Sequence, residues 1–531
     1  MSKIRRAMHW TDVPALREET HFGRKLRCFS ERPKNVNALF AATVERYGDR
    51  EALVTDRHRL DYGKLDRVAE RLAGHLHRLG VARGDRVVLF LPNDREFVYA
   101  LLAVLRLGAV AVPVNVREQR PELAFILAQC GAKAIVFDAA LADRLPPPTE
   151  GLPLAVRIST GPASGATGLD ELLEARSPAA PAADPGEEEP AVILYTSGTT
   201  GRPKGAMLTH LNVIHSVLHY RTCMRLTAED RSLLAVPASH VTGLVAITLA
   251  MFAVGGCVIT LREFKARAFL ELAARERMTH TLVVPAIYNL CLREPDFDRF
   301  DLGAWRIGGF GGASMPEGTI RALAEKLPGL TLMNAYGATE TTSPTTIMPM
   351  GLQAANLDSV GVVVPCGDVR VMDDAGREVA PGETGEIWIA GPMVVPGYWD
   401  NPEATAREFE RGYWKSGDLG AIDTQGFVRV FDRKKDLINR GGYKIYSAEV
   451  ESVLSLHPAV LESALVPVPD PVLGEKARAI VVARPGCDAE ALRAHCAQHL
   501  ADYKVPDFFT FRSEPLPRNA NGKLLKRALR E

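Results

Sequence analysis

The stretch "YTSGTTGRPKGAMLTH" occupies residues 195–210. Just before it stands "AVIL", a compact apolar run of the kind that forms a buried strand. Just after it, "LNVIHSVLHYR" has the pattern of a helix. Between the two, Gly198, Gly201 and Gly205 free the backbone to turn N–H groups toward one point. Ser197, Thr199 and Thr200 add hydroxyl donors, and Lys204 adds a cation. A loop so composed, between a strand and a helix, suits an anion such as phosphate. It is not the GxxxxGK[ST] sequence, because Lys204 follows Pro203 and precedes Gly205, so a P-loop kinase or ATPase loses its main support.

The chain has 531 residues, too many for one ordinary core, so two or more domains are expected. Apolar residues make up 47% and charged residues 24%, the balance of a soluble globular protein. Lys+Arg and Asp+Glu number 64 each, so composition gives no basic excess to mark a nucleic-acid binder. The eight cysteines form no CxxC pair, which speaks against a zinc ribbon or redox motif. The first residues, "MSKIRRAMHWTDVPALREE", carry charge and no apolar core of a signal peptide, so a cytoplasmic protein with reduced thiols is expected. Residues 241–261, "VTGLVAITLAMFAVGGCVITL", are uncharged and long enough to raise a membrane span. Gly255 and Gly256 divide that run, so a buried helix, turn and strand is the better expectation, and no transmembrane segment is assigned.

Apolar runs alternate with helical patterns through "DRVVLFLP", "AVAVPVN", "AKAIVFD", "SLLAVP", "HTLVVPA" and "AWRIGGF". This rhythm predicts parallel sheets with crossover helices, and ligands at the carboxyl ends of the strands. Residues 177–190, rich in Pro, Ala and Glu, read as an exposed loop. From about 360 to 430 the period shifts toward two, predicting antiparallel strands. The expected fold is α/β. A large N-terminal domain (residues 1–431) has layered parallel-type sheets, crossover helices and a small β-barrel-like part. A hinge at 432–436 leads to a small mobile α+β domain at 437–531.

The loop at residues 195–210 also resembles the signature of the adenylate-forming superfamily, which includes acyl-CoA synthetases, aryl-acid CoA ligases, luciferases and carrier-protein adenylation domains. "PASHVTG", "NAYGATETT", "YWKSGDL", "DRKKDLINRGGYKIYSAEVE" and "PRNANGK" are similar to that family's further motifs and stand in its order. The resemblance implies a two-step reaction with ATP, Mg²⁺ and coenzyme A. A carboxylate attacks the α-phosphorus of ATP, and a thiol then displaces AMP. It implies that Thr196, Ser197, Gly198, Thr199, Thr200, Gly201 and Lys204 hold the phosphates. Gly312, Ala313, Asn334, Ala335, Tyr336, Gly337 and Thr339 would line the nucleotide, with Tyr336 stacked on adenine. Asp418 and Arg433 would meet the ribose, Thr196 and Glu340 would position the metal, and Lys523 would act at the acyl carboxylate and α-phosphate. Lys435 stands at the hinge position, and Gly441, Gly442 and Tyr443 at the loop facing coenzyme A. Where Gly441 stands, aryl-acid ligases and luciferases often carry a lysine, so that lysine's role does not transfer.

His240, Val241, Tyr288, Phe310, Gly311 and Tyr336 are the expected acyl pocket, and its glycines leave room for a bulky apolar body. No Arg or Lys is among them, which disfavours dicarboxylates such as malonate. The expected substrate is an apolar monocarboxylic acid, fatty or aryl. His240 reads equally as a gate beside the acyl carboxylate or as a satisfied core histidine. His215 and His219 have helical spacing but no third ligand nearby, and read as helix surface. The leading function is an acyl-CoA synthetase. The alternatives are a stand-alone enzyme loading a carrier protein, and a non-catalytic nucleotide-binding protein on the same fold. A homodimer is compatible with all three.

Overall fold

The computed structural model describes residues 10–147, 154–177, 180, 182–196, 202–313, 315–518 and 524–530. The apolar runs of the first third form a seven-stranded sheet. Its centre is Val110–Pro113, Arg86–Phe90, Ala134–Phe137 and Val156–Ser159, all parallel. These strands are apolar without alternation because both faces are covered, as crossover connections require. The helix Arg95–Arg106 is one such connection, started by the Asp94 carboxylate at its first N–H. Pro190–Thr196 joins this sheet parallel to Val110–Pro113.

Beyond the glycine loop the chain departs from the expectation. Lys204–Thr209 is a strand, antiparallel to Pro190–Thr196, and the helix begins at His210. Gly205 serves that hairpin and not the anion. A Cβ there would lie 2.7 Å from Ile193 and 3.3 Å from Tyr195.

A second sheet of fourteen strands carries the rest of the large domain. Glu51–Val54, Cys257–Thr260, Arg231–Leu234, His280–Val283, Ile307–Phe310 and Thr331–Tyr336 run parallel in that order. At Tyr336 the pairing turns antiparallel and continues through Thr346–Ile347, Gly361–Val363, Phe427–Arg433, Tyr413–Ile422, Gly385–Ala390 and Asp368–Met372. The expected β-barrel-like part is therefore corrected. Thr346–Ile347 takes the free edge of Thr331–Tyr336, so the antiparallel strands lengthen the open sheet, and they do not close on themselves. Asn93 joins the two sheets. It donates to the carbonyls of Leu234, Val236 and Leu261 and accepts from the Ala238 N–H at 2.7 Å.

Residues 241–261 become a wide π-helical segment, Thr242–Leu249, an α-helical turn, Ala250–Val254, and the strand Cys257–Thr260. Gly255 makes the break with φ +77°. Among the described residues no helix is long and apolar enough to cross a membrane. The loop before residue 190 is more engaged than its composition suggests. Glu187 pairs with the buried Arg32 at 2.7 Å, and Glu188 lies 3.2 Å from His21. Both contacts reach the N-terminal hairpin region, Leu16–His21 and Arg24–Phe29. That hairpin is why His215 and His219 are core, correcting their reading as helix surface. Phe29 stacks on His215 with centroids 5.7 Å apart and tilts against His219 at 5.3 Å.

The last strand of the large sheet ends at Arg433, and the first of a separate five-stranded sheet starts at Ile438. The small sheet is built on the long antiparallel pair Val460–Asp470 and Gly474–Ala483. The helices Ser447–Ser455 and Ala489–His499 cover it, with Ile438, Val450, Leu465, Val481 and Leu492 in its own core.

Candidate active site

Two strand ends and the middle of a third strand bring polar side chains together in the large sheet. Thr331–Tyr336 brings Tyr336, and the pair Tyr413–Ile422 and Phe427–Arg433 brings Asp418 directly opposite Arg433. Arg433 Nε lies 2.6 Å from one Asp418 oxygen, and the Tyr336 hydroxyl donates to the other at 2.6 Å. The Asp418 N–H donates to Ser416 Oγ. Burial, and then the Asp418 charge, push the Tyr336 phenol far above its ordinary range, so it remains a donor. Gly311 passes so close to this strand that a Cβ would sit 2.3 Å from the Ala335 carbonyl oxygen. Gly311 thus permits two strand ends to touch and opens no space for a substrate. Gly312 turns the chain at φ +76°, and Ala313 beyond it is exposed. Asn334 is buried, its side chain donating to the Ser359 carbonyl at 3.4 Å, while Gly337 and Thr339 are half-buried.

A second polar group lies where the two sheets join. Residues 397–399 run beside Lys204–Thr209, with Trp399 N–H donating to the Gly205 carbonyl at 2.7 Å and Met207 N–H to Gly397 at 3.1 Å. This places Tyr398 between three charged side chains. Its ring lies 4.4 Å beneath Lys204 Nζ, and its hydroxyl, with one proton to give, lies 2.8 Å from Glu340 and 2.5 Å from Glu408. Lys204 is buried and bonds both Glu408 oxygens at 2.6 and 2.7 Å. Burial alone would raise the Glu408 carboxyl, but Lys204 and Tyr398 outweigh it and hold it low. Lys204 is therefore not the free phosphate cation expected of it. Its charge is matched within the protein, and it anchors the base of the loop. Tyr398 and Glu408 were missed because neither belongs to a recognised motif. The available signal was the Gly-Tyr-Trp run at 397–399.

Glu340 is buried in the turn Thr339–Thr341. Thr341 Oγ1 closes that turn by accepting from the Ala338 N–H at 2.9 Å. The next residues, Thr342 and Ser343, take φ +50° and +34°, a strained region for residues with side chains. The Tyr220 hydroxyl holds them by bonding Ser343 Oγ at 2.7 Å. Thr196 lies across the hairpin from Lys204. A carboxylate and a hydroxyl are the hard oxygen donors that Mg²⁺ accepts.

The expected acyl residues separate. His240 is half-buried, with its N–H bonded to the Pro237 carbonyl, and leads through the buried Val241 into the π-helical segment. Phe310 is buried at the end of its strand. Tyr288 is core and no pocket wall. It is 1% exposed, stacked on Trp305, and bonded through its hydroxyl to the Gly309 carbonyl at 2.9 Å. Val284, not anticipated, is 42% exposed and faces the open side of Gly312.

Lys435 is exposed in the turn between the two domains' sheets. Gly441 and Gly442 form the tight turn of the hairpin Ile438–Arg440 and Tyr443–Ile445, with φ +59° and +93°. Two consecutive positive angles are what a type I′ turn needs, so the hairpin itself explains this glycine pair. Tyr443 is exposed and packs on Tyr503. Ser197, Gly198, Thr199, Thr200, Gly201 and Lys523 lie outside the described residues.

Two other features do not compete with this site. A cleft of ≈ 920 Å³, lined by Asp56, Arg117, Asp138, Arg262 and Lys265 among others, contains none of the predicted residues. Its Arg262 is already paired with Asp94 and Asp138. Among the described residues Glu19, His21 and Cys28 could geometrically gather round an ion. However, Glu19 is held by Arg32, and burial pushes the Cys28 thiol up to about 12.

The chain matches the family model of AMP-binding enzymes over residues 40–399, and that of the AMP-binding enzyme C-terminal domain over 449–523. It is 36% identical over 480 residues to the long-chain-fatty-acid–CoA ligase FadD13 of Mycobacterium tuberculosis, covering 89% of this chain and 93% of that protein. To the feruloyl-CoA synthase of an Amycolatopsis species it is 36% identical over 473 residues, with the same coverage. The structure of o-succinylbenzoate CoA synthetase from Bacillus subtilis with its acyl-adenylate intermediate superposes with TM-score 0.83 at 29% identity, covering 94% and 98% of the two chains. The chain thus belongs to the AMP-binding, adenylate-forming enzyme family, and is an AMP-forming acid–CoA ligase.

Proposed function

We propose that this ligase activates an apolar monocarboxylic acid, aliphatic or aryl, and that coenzyme A is its thiol acceptor. The observation that carries this reading is the makeup of the acyl side. Of the candidate residues the exposed Val284 and the half-buried His240 offer surface, Val241 and Phe310 are buried behind, and none of the four is Arg or Lys. A second carboxylate would be desolvated there without a cation. The fatty-acid and feruloyl specificities in the relatives' names agree with this chemistry.

In the proposed reaction an acid oxygen attacks the α-phosphorus, and the bond to pyrophosphate breaks. The thiol then attacks the acyl carbon, the carbon–oxygen bond breaks, and AMP leaves with that oxygen. Asp418, held by Arg433 and Tyr336, accepts from the ribose hydroxyls. The ring of Tyr336 stacks on adenine. Thr196 and Glu340 would hold Mg²⁺, which would supply charge neutralisation at the phosphates. Lys204 and Glu408 keep Tyr398 and Glu340 in place beside it. Lys523 would bring positive charge to the α-phosphate, and His240 would gate the acid's carboxylate. The hairpin 438–445 would face the incoming thiol.

Pyrophosphate release across a panel of acids, followed by thioester formation with CoA or a carrier protein, tests the reading. Medium and long aliphatic or cinnamate-type acids should exceed malonate by at least about tenfold in kcat/KM. A preference for dicarboxylates would overturn it, and transfer to a carrier protein in place of CoA would replace the acceptor.

A further inference from the structure

The segment joining the two domains is bracketed on both sides. Lys434 belongs to the large domain: its N–H donates to the Gly417 carbonyl at 2.8 Å, and its ammonium meets Asp374 and Glu386. Lys435 and Asp436 are gripped by the small domain, because Arg530 donates to the Lys435 carbonyl and the Asp436 carboxylate, each at 3.0 Å. Between these anchors the chain turns at Lys435, where the Asp436 and Leu437 N–H groups both donate to the Arg433 carbonyl at 2.9 and 3.1 Å.

A second polar junction crosses that point. Asp432, buried in the last strand of the large sheet, accepts from both the N–H and the hydroxyl of Ser447, the first residue of the small domain's helix Ser447–Ser455. Lys526 donates to the same hydroxyl at 2.6 Å and pairs with Glu451, one turn along the helix, at 2.7 Å. Glu451 also accepts from the Leu465 N–H. Burial raises the Glu451 carboxyl, with Lys526 opposing it. Phe431 and Tyr446 pack across the same point. A rotation at Lys435 that leaves Asp432 with one sheet and Ser447 with the other must break the Asp432–Ser447 bonds.

We propose that Asp432 and Ser447 form a latch across the hinge, and that Lys526 and Glu451 wire it to the C-terminal tail that carries Lys523. The latch holds the domain arrangement seen here and ties the tail to the hinge, so loosening it should change the acyl-adenylate and thioester steps unequally. This rests on the two-step reading above. Asp432 and Ser447 are positioning residues, since neither touches a reactant.

Asp432→Ala and the milder Ser447→Ala test it by two readouts, and one needs no activity. Trypsin cleavage after Arg433, Lys434 or Lys435 should be faster than in the unaltered protein. An increase of about tenfold is expected for Asp432→Ala, the scale of losing hydrogen bonds to a charged group. Lys504→Gln, which breaks an ion pair inside the small domain alone, should leave that rate unchanged. The ratio of adenylation to thioester formation from supplied acyl-adenylate should also shift, with the two rates changing by unequal factors. Unchanged cleavage in both latch variants, or equal loss in both half-reactions, would overturn the latch. An unaltered protein inactive in both steps would instead overturn the reading beneath it, whatever the cleavage shows.

Discussion

Lys204 shows how a residue's chemistry depends on a partner that its neighbours in sequence do not announce. Its motif suggests a phosphate cation, yet Glu408, 204 residues away, takes its charge. Lys204→Met should therefore cost stability as well as activity. Leaving the half-buried Glu408 with only Tyr398 and Arg407 for partners is expected to lower the unfolding free energy by about 1–3 kcal/mol, measured by denaturant titration. Activity loss with unchanged stability would return Lys204 to the phosphate. Asp418 behaves differently, because its partners Arg433 and Tyr336 both stand in motifs. Asp418→Asn keeps the shape and loses charge, so ATP affinity, by calorimetry, should fall by roughly 1–3 kcal/mol while binding of the acid is little changed. That Asp418 and Arg433 come together follows from their places on paired strands, where they stand directly opposite each other. Tyr288 was misplaced because an aromatic after a strand end fits a pocket or a core equally well in sequence, and its hydroxyl's partner, Gly309, is fixed only by packing.

At the scale of elements, the helix His210–Cys223 is the clearest departure. Its histidines suggest an amphipathic surface helix, but the hairpin Leu16–Phe29 covers the outer side. Sequence periodicity cannot show that a distant hairpin will bury a polar face. The parallel strands were legible because their apolar runs need cover on both faces, and the barrel was not, because closure depends on which strand edges meet. Burial holds His210 down to about 4 and His215 to about 3 from 6.5, with the strand residue His280 at about 4 and His219 also lowered. In the unfolded chain these rings gain protons below about 6.5, while the folded chain resists. Their stabilising effect is complete above that pH and is lost as pH falls toward 4, at about 1.4 kcal/mol per pH unit for each ring. Among the described residues His219 has no hydrogen-bond partner for either ring nitrogen. His219→Leu should thus leave stability at pH 7 equal or higher, and reduce the slope between pH 6 and 4 by about 1.4 kcal/mol per unit. Denaturant melts at several pH values give both numbers. An unchanged slope would remove His219 from the acid response.

For the whole molecule, the division of labour is set by where the strands end. The large sheet collects Tyr336, Asp418 and Arg433. Tyr398 ties that region to the hairpin closing the glycine loop of the other sheet. The small domain joins the large one through a short, bracketed hinge. An acyl-adenylate connects these parts in the proposed reaction, and its chemistry leaves a mark on oxygen. With the acid labelled with ¹⁸O in both carboxylate positions, one labelled oxygen should pass into AMP when the carbon–oxygen bond of the adenylate breaks. The thioester should keep the other, and pyrophosphate should have none. Label in orthophosphate together with ADP, or AMP formed without label, would contradict the account.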